Sequence, residues 1–201
     1  TINGYSNAST CATLAPGPGS IVSQYSNYTT LGSVTNLEQG SLIPISLNLG
    51  TCGGNFGRTA KMWIDFNQNG SFLDVGEQVA VITYPGTTTN PQTYTSSFLV
   101  PIGATPGTTR MRVVYWETAT AATVVPCGTY TWGETEDYFV TVTVPPPCTN
   151  PPTPGTLAAS ASAVCPGTTV SFTVTGYSGG SGQTYQWEYS ADNITFNPIL
   201  G

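Results

Sequence analysis

Hydrophobic and polar residues alternate along much of the chain with the two-residue period of a half-buried strand. In Arg110-Met111-Arg112-Val113-Val114-Tyr115 and in Tyr138-Phe139-Val140-Thr141-Val142-Thr143-Val144, one face is apolar and the other carries Thr or Arg. Strand-like runs separated by turn residues cover positions 42–49, 60–66, 78–84, 94–100, 109–116 and 138–144. No segment shows a convincing 3.6-residue period. Six or more such strands predict an all-β, jelly-roll-like β-sandwich.

The pattern breaks at Val144-Pro145-Pro146-Pro147-Cys148-Thr149-Asn150-Pro151-Pro152-Thr153-Pro154-Gly155. Proline removes the ladder donor and favours an extended, semi-rigid connection, so the stretch reads as a linker. It divides the chain into a sandwich domain (1–144), a linker (145–155) and a second domain (156–201). In the second domain Thr169-Val170-Ser171-Phe172-Thr173-Val174-Thr175 alternates strictly, a Gly/Ser loop follows, and Thr184-Tyr185-Gln186-Trp187-Glu188-Tyr189-Ser190 resumes the pattern. Two consecutive antiparallel strands are expected there. About 50 residues fall short of the roughly 100 of a seven-stranded sandwich, so this domain is expected to be incomplete.

Composition sharpens the picture. Only 7% of residues are charged, against about 25% in ordinary domains. Good surface helix formers are therefore scarce, while β-branched and aromatic residues are plentiful. At 39% hydrophobic and 11% aromatic, the chain is too apolar for disorder. A net charge of −6 with four basic residues, Arg58, Lys61, Arg110 and Arg112, offers no patch to neutralise a phosphate backbone, which excludes nucleic acid as a main partner. There is no run of about 18 apolar residues and no signal-peptide pattern, so no membrane insertion by this segment is expected, and any export signal lies outside it.

The five cysteines, Cys11, Cys52, Cys127, Cys148 and Cys165, form no C-x-x-C pair, and the chain has no His. Zinc and thioredoxin-like chemistry are disfavoured, and disulfides in an oxidising compartment are expected. The odd number leaves one thiol free or paired outside the chain. Low charge, abundant Thr and Asn, and the lack of His fit an exported protein.

Six of the ten acidic residues fall in two short stretches. The first is Asp65-Phe66-Asn67-Gln68-Asn69-Gly70-Ser71-Phe72-Leu73-Asp74-Val75-Gly76-Glu77. Oxygen donors occupy loop positions 1, 3, 5 and 7 (Asp65, Asn67, Asn69, Ser71) with Gly at 6, as in an EF-hand calcium loop. A hard cation wants six to eight oxygens, and a chain coiling round it turns every second residue inward. Asp74 and Glu77 would complete the set. Glu at position 13 and flanking strands exclude an ordinary EF-hand, and the alternative is a plain Asn-Gly hairpin turn.

The second stretch, Gly133-Glu134-Thr135-Glu136-Asp137-Tyr138, stands where the last strand of the first domain is expected to begin. Three carboxylates in four positions repel one another unless a cation compensates them. Pairing with Arg110 and Arg112, ligation of a metal shared with the first loop through Glu134, Glu136 and Asp137, and a solvated loop all remain open. Glycosidase-like acid–base work is the weaker alternative, because the chain has no His and no G-x-S-x-G nucleophile motif. No catalytic residue is assigned and the chain is expected not to be an enzyme. Tyr25, Tyr28, Tyr84, Tyr94, Tyr115, Trp116, Tyr130 and Trp132 could form a sugar-stacking platform, with core or rim packing the plainer expectation. Sequons at Asn7, Asn27, Asn69 and Asn193 are expected by chance in so Asn- and Thr-rich a chain.

Several separated motifs stand in one order: Trp63-Ile64-Asp65-Phe66-Asn67-Gln68-Asn69-Gly70-Ser71-Phe72, Gly76-Glu77, Pro106-Gly107-Thr108-Thr109-Arg110-Met111-Arg112-Val113, Cys127-Gly128 and Gly133-Glu134-Thr135-Glu136-Asp137-Tyr138. Over residues 20–144 this combination resembles the GEVED domain family of secreted bacterial surface proteins. Thr135 replaces the Val of the family signature, and Asn69 replaces the usual Asp of the loop, which removes a charge. The resemblance implies a β-sandwich module of large adhesins and secreted enzymes of Bacteroidetes-type bacteria, often type IX secretion cargo. The segment from Cys148 onward is similar to the immunoglobulin-like repeats that follow such modules, with Trp187 as the core Trp. Phe172 stands where the inter-sheet Cys would be, and a Cys148–Cys165 staple is the expectation that follows.

Together these features predict a non-catalytic, calcium-stabilised module of a large secreted or cell-surface adhesin or filament on the outer surface of a Gram-negative bacterium. Its expected partners are host or neighbouring-cell surface glycans or proteins, or neighbouring modules of the same protein. The alternative is an accessory carbohydrate- or protein-binding module of a secreted hydrolase.

Overall fold

The computed structural model describes residues 1–147, 151, 153–178 and 186–199. It divides into two compact units, Thr1–Val144 and Pro145–Gly201. The first unit is built from β1 (Tyr25–Asn27), β2 (Ser33–Glu38), β3 (Leu42–Leu49), β4 (Arg58–Ile64), β5 (Gln78–Tyr84), β6 (Gln92–Leu99), β7 (Gly107–Trp116) and β8 (Gly133–Thr143).

β8 lies inside a six-stranded sheet. One edge pairs antiparallel with β7, from Gly107↔Val142 to Trp116↔Gly133, and β4 and β5 follow beyond β7. The other edge takes both β1 and β2 as parallel partners, β1 opposite residues 135–137 and β2 opposite residues 139–143. β3 and β6 form a second, two-stranded antiparallel sheet.

The two sheets bury one shared core. Ile43, Ile45, Phe98 and Val100 meet Leu37, Ile64, Met111, Tyr138, Val140 and Val142. Each such side chain removed from water contributes about 1.5–3 kcal/mol, so this layer supplies the main stabilisation of the sandwich. A smaller cluster, Trp63, Phe72, Val114 and Val124 with Trp116 and Tyr130 against it, covers part of the opposite face of the large sheet. A disulfide joins Cys11 to Cys52, tying the N-terminal segment to the chain beyond β3, and Cys127 is exposed and free.

β3 and β5 occupy the positions that their alternation predicts. β4 starts earlier and stops at Ile64, because Asp65 opens the loop. β8 begins at Gly133 rather than Tyr138, so the acidic motif forms the first half of a strand and is not a turn before it. Charged residues normally weaken a strand, and here every carboxylate of the motif finds partners. β1 and β2 were not foreseen.

In the second unit β9 (Thr156–Ala159) pairs antiparallel with β10 (Phe172–Thr175), and β11 (Glu188–Tyr189) with β12 (Asn197–Pro198). The two expected strands are therefore not each other's partners; each finds its cross-strand neighbours in a different segment, and pairing follows those contacts. Positions 184 and 185 of the second run lie outside the described residues. Trp187 is 47% exposed rather than a core residue, with its ring 6.1 Å from Phe172. Cys148, and with it the expected staple, also lies outside the described residues, and Cys165 is exposed.

Candidate functional site

The loop between β4 and β5 is closed at its neck, where Ile64 N–H donates to the Glu77 carbonyl and Asp65 N–H to the Arg110 carbonyl. Inside, short polar side chains fold the backbone around themselves, as Asx turns do. The Asp65 carboxylate accepts from Asn69 N–H (3.1 Å) and Gly70 N–H (2.9 Å). Asn67 Oδ1 accepts from Asn69 N–H, Asn69 Oδ1 from Ser71 N–H, and Ser71 Oγ from Leu73 N–H. Asn69 Nδ2 donates to Asp74 Oδ2 at 2.9 Å. Gly70 takes φ +83, which glycine adopts without strain.

Glu77 ends this loop, 2% exposed. Its Oε1 accepts one long bond from Asn67 N–H (3.5 Å), and its Oε2 is buried with no partner. Burial raises its pKa above the ordinary carboxylate value, and the nearby Asp65 and Asp74 carboxylates add to the rise. A buried carboxylate oxygen left unpaired is costly. Three carboxylates and several amide oxygens make a hard donor set, suited to a cation of the calcium type. Among the described residues, no three His, Cys, Asp or Glu side chains stand close enough to form a metal centre by themselves. A cation here would need the neutral oxygens of Asn67 and Asn69 as well.

The acidic motif on β8 does not join that loop. Phe139 pairs with Arg110, whose carbonyl holds Asp65 N–H. Two strand spacings and five residues along β8 place Glu134 roughly 20 Å from Asp65, and the two-residue offset places Asp137 roughly 12 Å away. A shared metal set of Asp65, Asn67, Asn69, Ser71, Asp74, Glu77, Glu134, Glu136 and Asp137 is thus split by the geometry of the sheet.

Alternation along β8 splits the motif again. Asp137 faces outward, fully buried beneath its partners: Arg112 Nε and Nη2 each donate to it at 2.7 Å, Tyr25 OH donates at 2.8 Å, and Arg110 stands at 3.4 Å. Arg112 also donates to the Pro126 carbonyl and lies over the Phe72 ring. Of the openings left by the sequence, Arg pairing is the one Asp137 adopts.

Glu134 and Glu136 face inward. Glu134 accepts from Ser26 (2.6 Å) and Ser9 (3.2 Å), and Glu136 from Ser9 (2.9 Å) and Tyr138 OH (3.0 Å). Asn7 donates to Tyr138 OH, and the Tyr138 ring stacks on Tyr28. Burial, followed by repulsion from Glu134, pushes the Glu136 carboxyl up to about 7. Ser9, Ser26 and Asn7 are partners that sequence reasoning missed. They come from more than 100 positions away: Ser26 is brought near by β1 lying parallel to β8, and Asn7 and Ser9 by the N-terminal segment, which the Ile2–Ile45 bridge and the Cys11–Cys52 disulfide hold to the sandwich.

The aromatic residues do not gather into one platform. Tyr28 is in the core, Trp116 packs on Tyr130 in the outer cluster, and Tyr84 lies under Arg58, whereas Trp132 is 69% exposed.

Comparison with known families finds two matches. Residues 153–201 match a domain of unknown function (DUF8696), and residues 59–141 match the GEVED domain. No curated protein matches the chain. The GEVED match spans β4 to β8 and takes in both the Asp65 loop and the acidic strand, while β1, β2 and β3 complete the sandwich from outside it. This chain therefore carries a GEVED domain, over residues 59–141.

Proposed function

We propose that the chain is a non-catalytic module of a larger secreted or cell-surface adhesin or filament protein, made rigid by calcium in the Asp65–Glu77 loop. The observation that carries the calcium assignment is the buried, unpartnered Oε2 of Glu77 beside two further carboxylates. Asp65, Asn67, Asn69, Asp74 and Glu77 would hold the ion through side-chain oxygens, with Ser71 contributing through its backbone carbonyl or a water. The ion would neutralise the carboxylate repulsion and fix the β4–β5 connection. A Cys11–Cys52 disulfide fits an oxidising compartment. Two compact β units joined by a proline-rich stretch fit a spacer whose weak contacts add up through multivalency.

Calorimetric calcium titration and thermal melts with and without chelator test the loop, using the chain, Asp65→Ala and Glu77→Gln. Saturable binding is expected, with a chelator-sensitive melt lost in Asp65→Ala. Glu77→Gln is expected to melt lower than the parent in calcium and no lower in chelator. No binding heat, with Glu77→Gln the more stable protein in both buffers, would make the loop a plain turn. Hydrolysis of a surface polymer by the purified chain would sink the non-catalytic assignment. The accessory-module alternative draws support from a groove that opens beside Trp132.

A further inference from the structure

The two sheets close tightly over Val140 and Val142 but splay apart toward the start of β8. There they leave a groove of about 1440 Å³, larger than the roughly 300–1,000 Å³ of a small-molecule site. Phe56, Leu47 and Trp132 contribute apolar surface, with Phe56 half-exposed and Trp132 largely open to solvent. Glu117, Glu134 and Glu136 bring three carboxyl groups to the same space.

Nothing basic from the side chains balances them. None of the four Lys and Arg residues lines the groove. Arg58 is fully buried, bonded to Asn55 and to the Phe56 and Thr89 carbonyls. Lys61, Arg110 and Arg112 alternate onto the other face of the large sheet. A second copy of the chain offers no free cationic segment to fit such a surface.

We infer that the groove binds a peptide segment of another protein that presents Lys or Arg side chains between apolar residues. The apolar residues would lie along Phe56, Leu47 and Trp132, while the cations would pair with Glu134, Glu136 and Glu117. The net charge of −6 would steer such a partner toward the chain. This inference goes beyond the calcium assignment and is independent of it, because the loop and the groove involve different residues.

Protonation offers a check on the chemistry. Glu136 faces Glu134, Tyr138 and Tyr5. A carboxyl with its pKa near 7 is mostly protonated at pH 6 and mostly ionised at pH 8. Affinity for a cationic peptide should therefore rise across that range, and affinity for a neutral ligand should not.

The test uses the whole chain. The probe is an acetylated, amidated heptapeptide of alternating leucine and lysine, titrated by calorimetry and by tryptophan fluorescence at pH 6 and pH 8. Its glutamine-for-lysine counterpart and a neutral glucan hexamer serve as comparisons. Saturable binding of the lysine peptide is expected, tighter at pH 8. Loss should be about tenfold or more in Glu134→Gln/Glu136→Gln and smaller in Glu117→Gln, since bonds to charged groups are the strong ones. Glu117→Gln lies outside the Ser9–Tyr138 network and keeps the test sound if the double variant misfolds. Failure of the lysine peptide to bind would overturn the inference, as would equal binding of the glutamine peptide or the glucan, or parent-like affinity in Glu117→Gln and any folded double variant.

Discussion

Replacing Asp137 by Ala should cost the first unit about 3–5 kcal/mol, the range for removing one partner of a buried ion pair. Asp137 is fully buried and accepts two bonds from Arg112 at 2.7 Å and one from Tyr25 at 2.8 Å. Without it, the Arg112 guanidinium, whose side chain is 15% exposed, keeps the Pro126 carbonyl as its one strong acceptor. Arg110 adds little, because it stands at 3.4 Å with its side chain 44% exposed, and such pairs contribute below about 1 kcal/mol. Urea unfolding followed by tryptophan fluorescence in a Trp187→Phe background reports the first unit, which holds the other three tryptophans. With a slope of about 2 kcal/mol per molar urea, the midpoint should fall by about 2 M. Asp137→Leu with Arg112→Met should recover much of the loss, since an apolar pair needs no desolvation of charge. A loss under about 1 kcal/mol, or a loss seen in calcium and absent in chelator, would refute the structural assignment and return Asp137 to the metal.

Three other perturbations test separate parts of the sandwich. Cys52→Ser opens a loop closed over a 41-residue separation and should cost up to about 4 kcal/mol in the chain-entropy account, measured as the change in urea midpoint. Glu136 holds its proton to about pH 7 in the fold against 4.5 as a free side chain. The stability this gives is fully present below pH 4.5 and lost as pH rises to about 7. Glu136→Gln should remove roughly 3 kcal/mol of that fall, and a parent-like pH profile in the variant would count against the burial, and with it the Glu134 repulsion, that raises this carboxyl. Gly133→Ala should destabilise by about 1–3 kcal/mol, because a Cβ at Gly133 would run into the Tyr115 carbonyl across the β7–β8 ladder.

Local alternation located β3 and β5 and the apolar halves of β7 and β8, because each carries its signal in its own side chains. β1 and β2 were not legible: each is short, and what makes it a strand is a parallel partner about 100 positions away. The two acidic groups could be seen as groups, but proximity in sequence misled for the second. Glu134 and Glu136 point into the sandwich and Asp137 points out of it, a division that follows once the motif is known to be a strand. Charged residues hid that strand. The Asp65 loop was legible as a turning segment, since its turns are built from bonds two to five residues long.

The Cys11–Cys52 bond also decides how the first unit carries a pulling force. Tension entering before Cys11 crosses the disulfide to Cys52, so β1, β2 and β3 lie inside a covalent loop that cannot be stretched. The load then passes from the start of β4 to the end of β8, two strands that run the same way on either side of β7. Pulled from opposite ends, they slide along their axes, and all the rungs between them resist together instead of parting one at a time. Reduction would release the loop and lengthen the extended chain by about 14 nm, a step that single-molecule stretching can read directly.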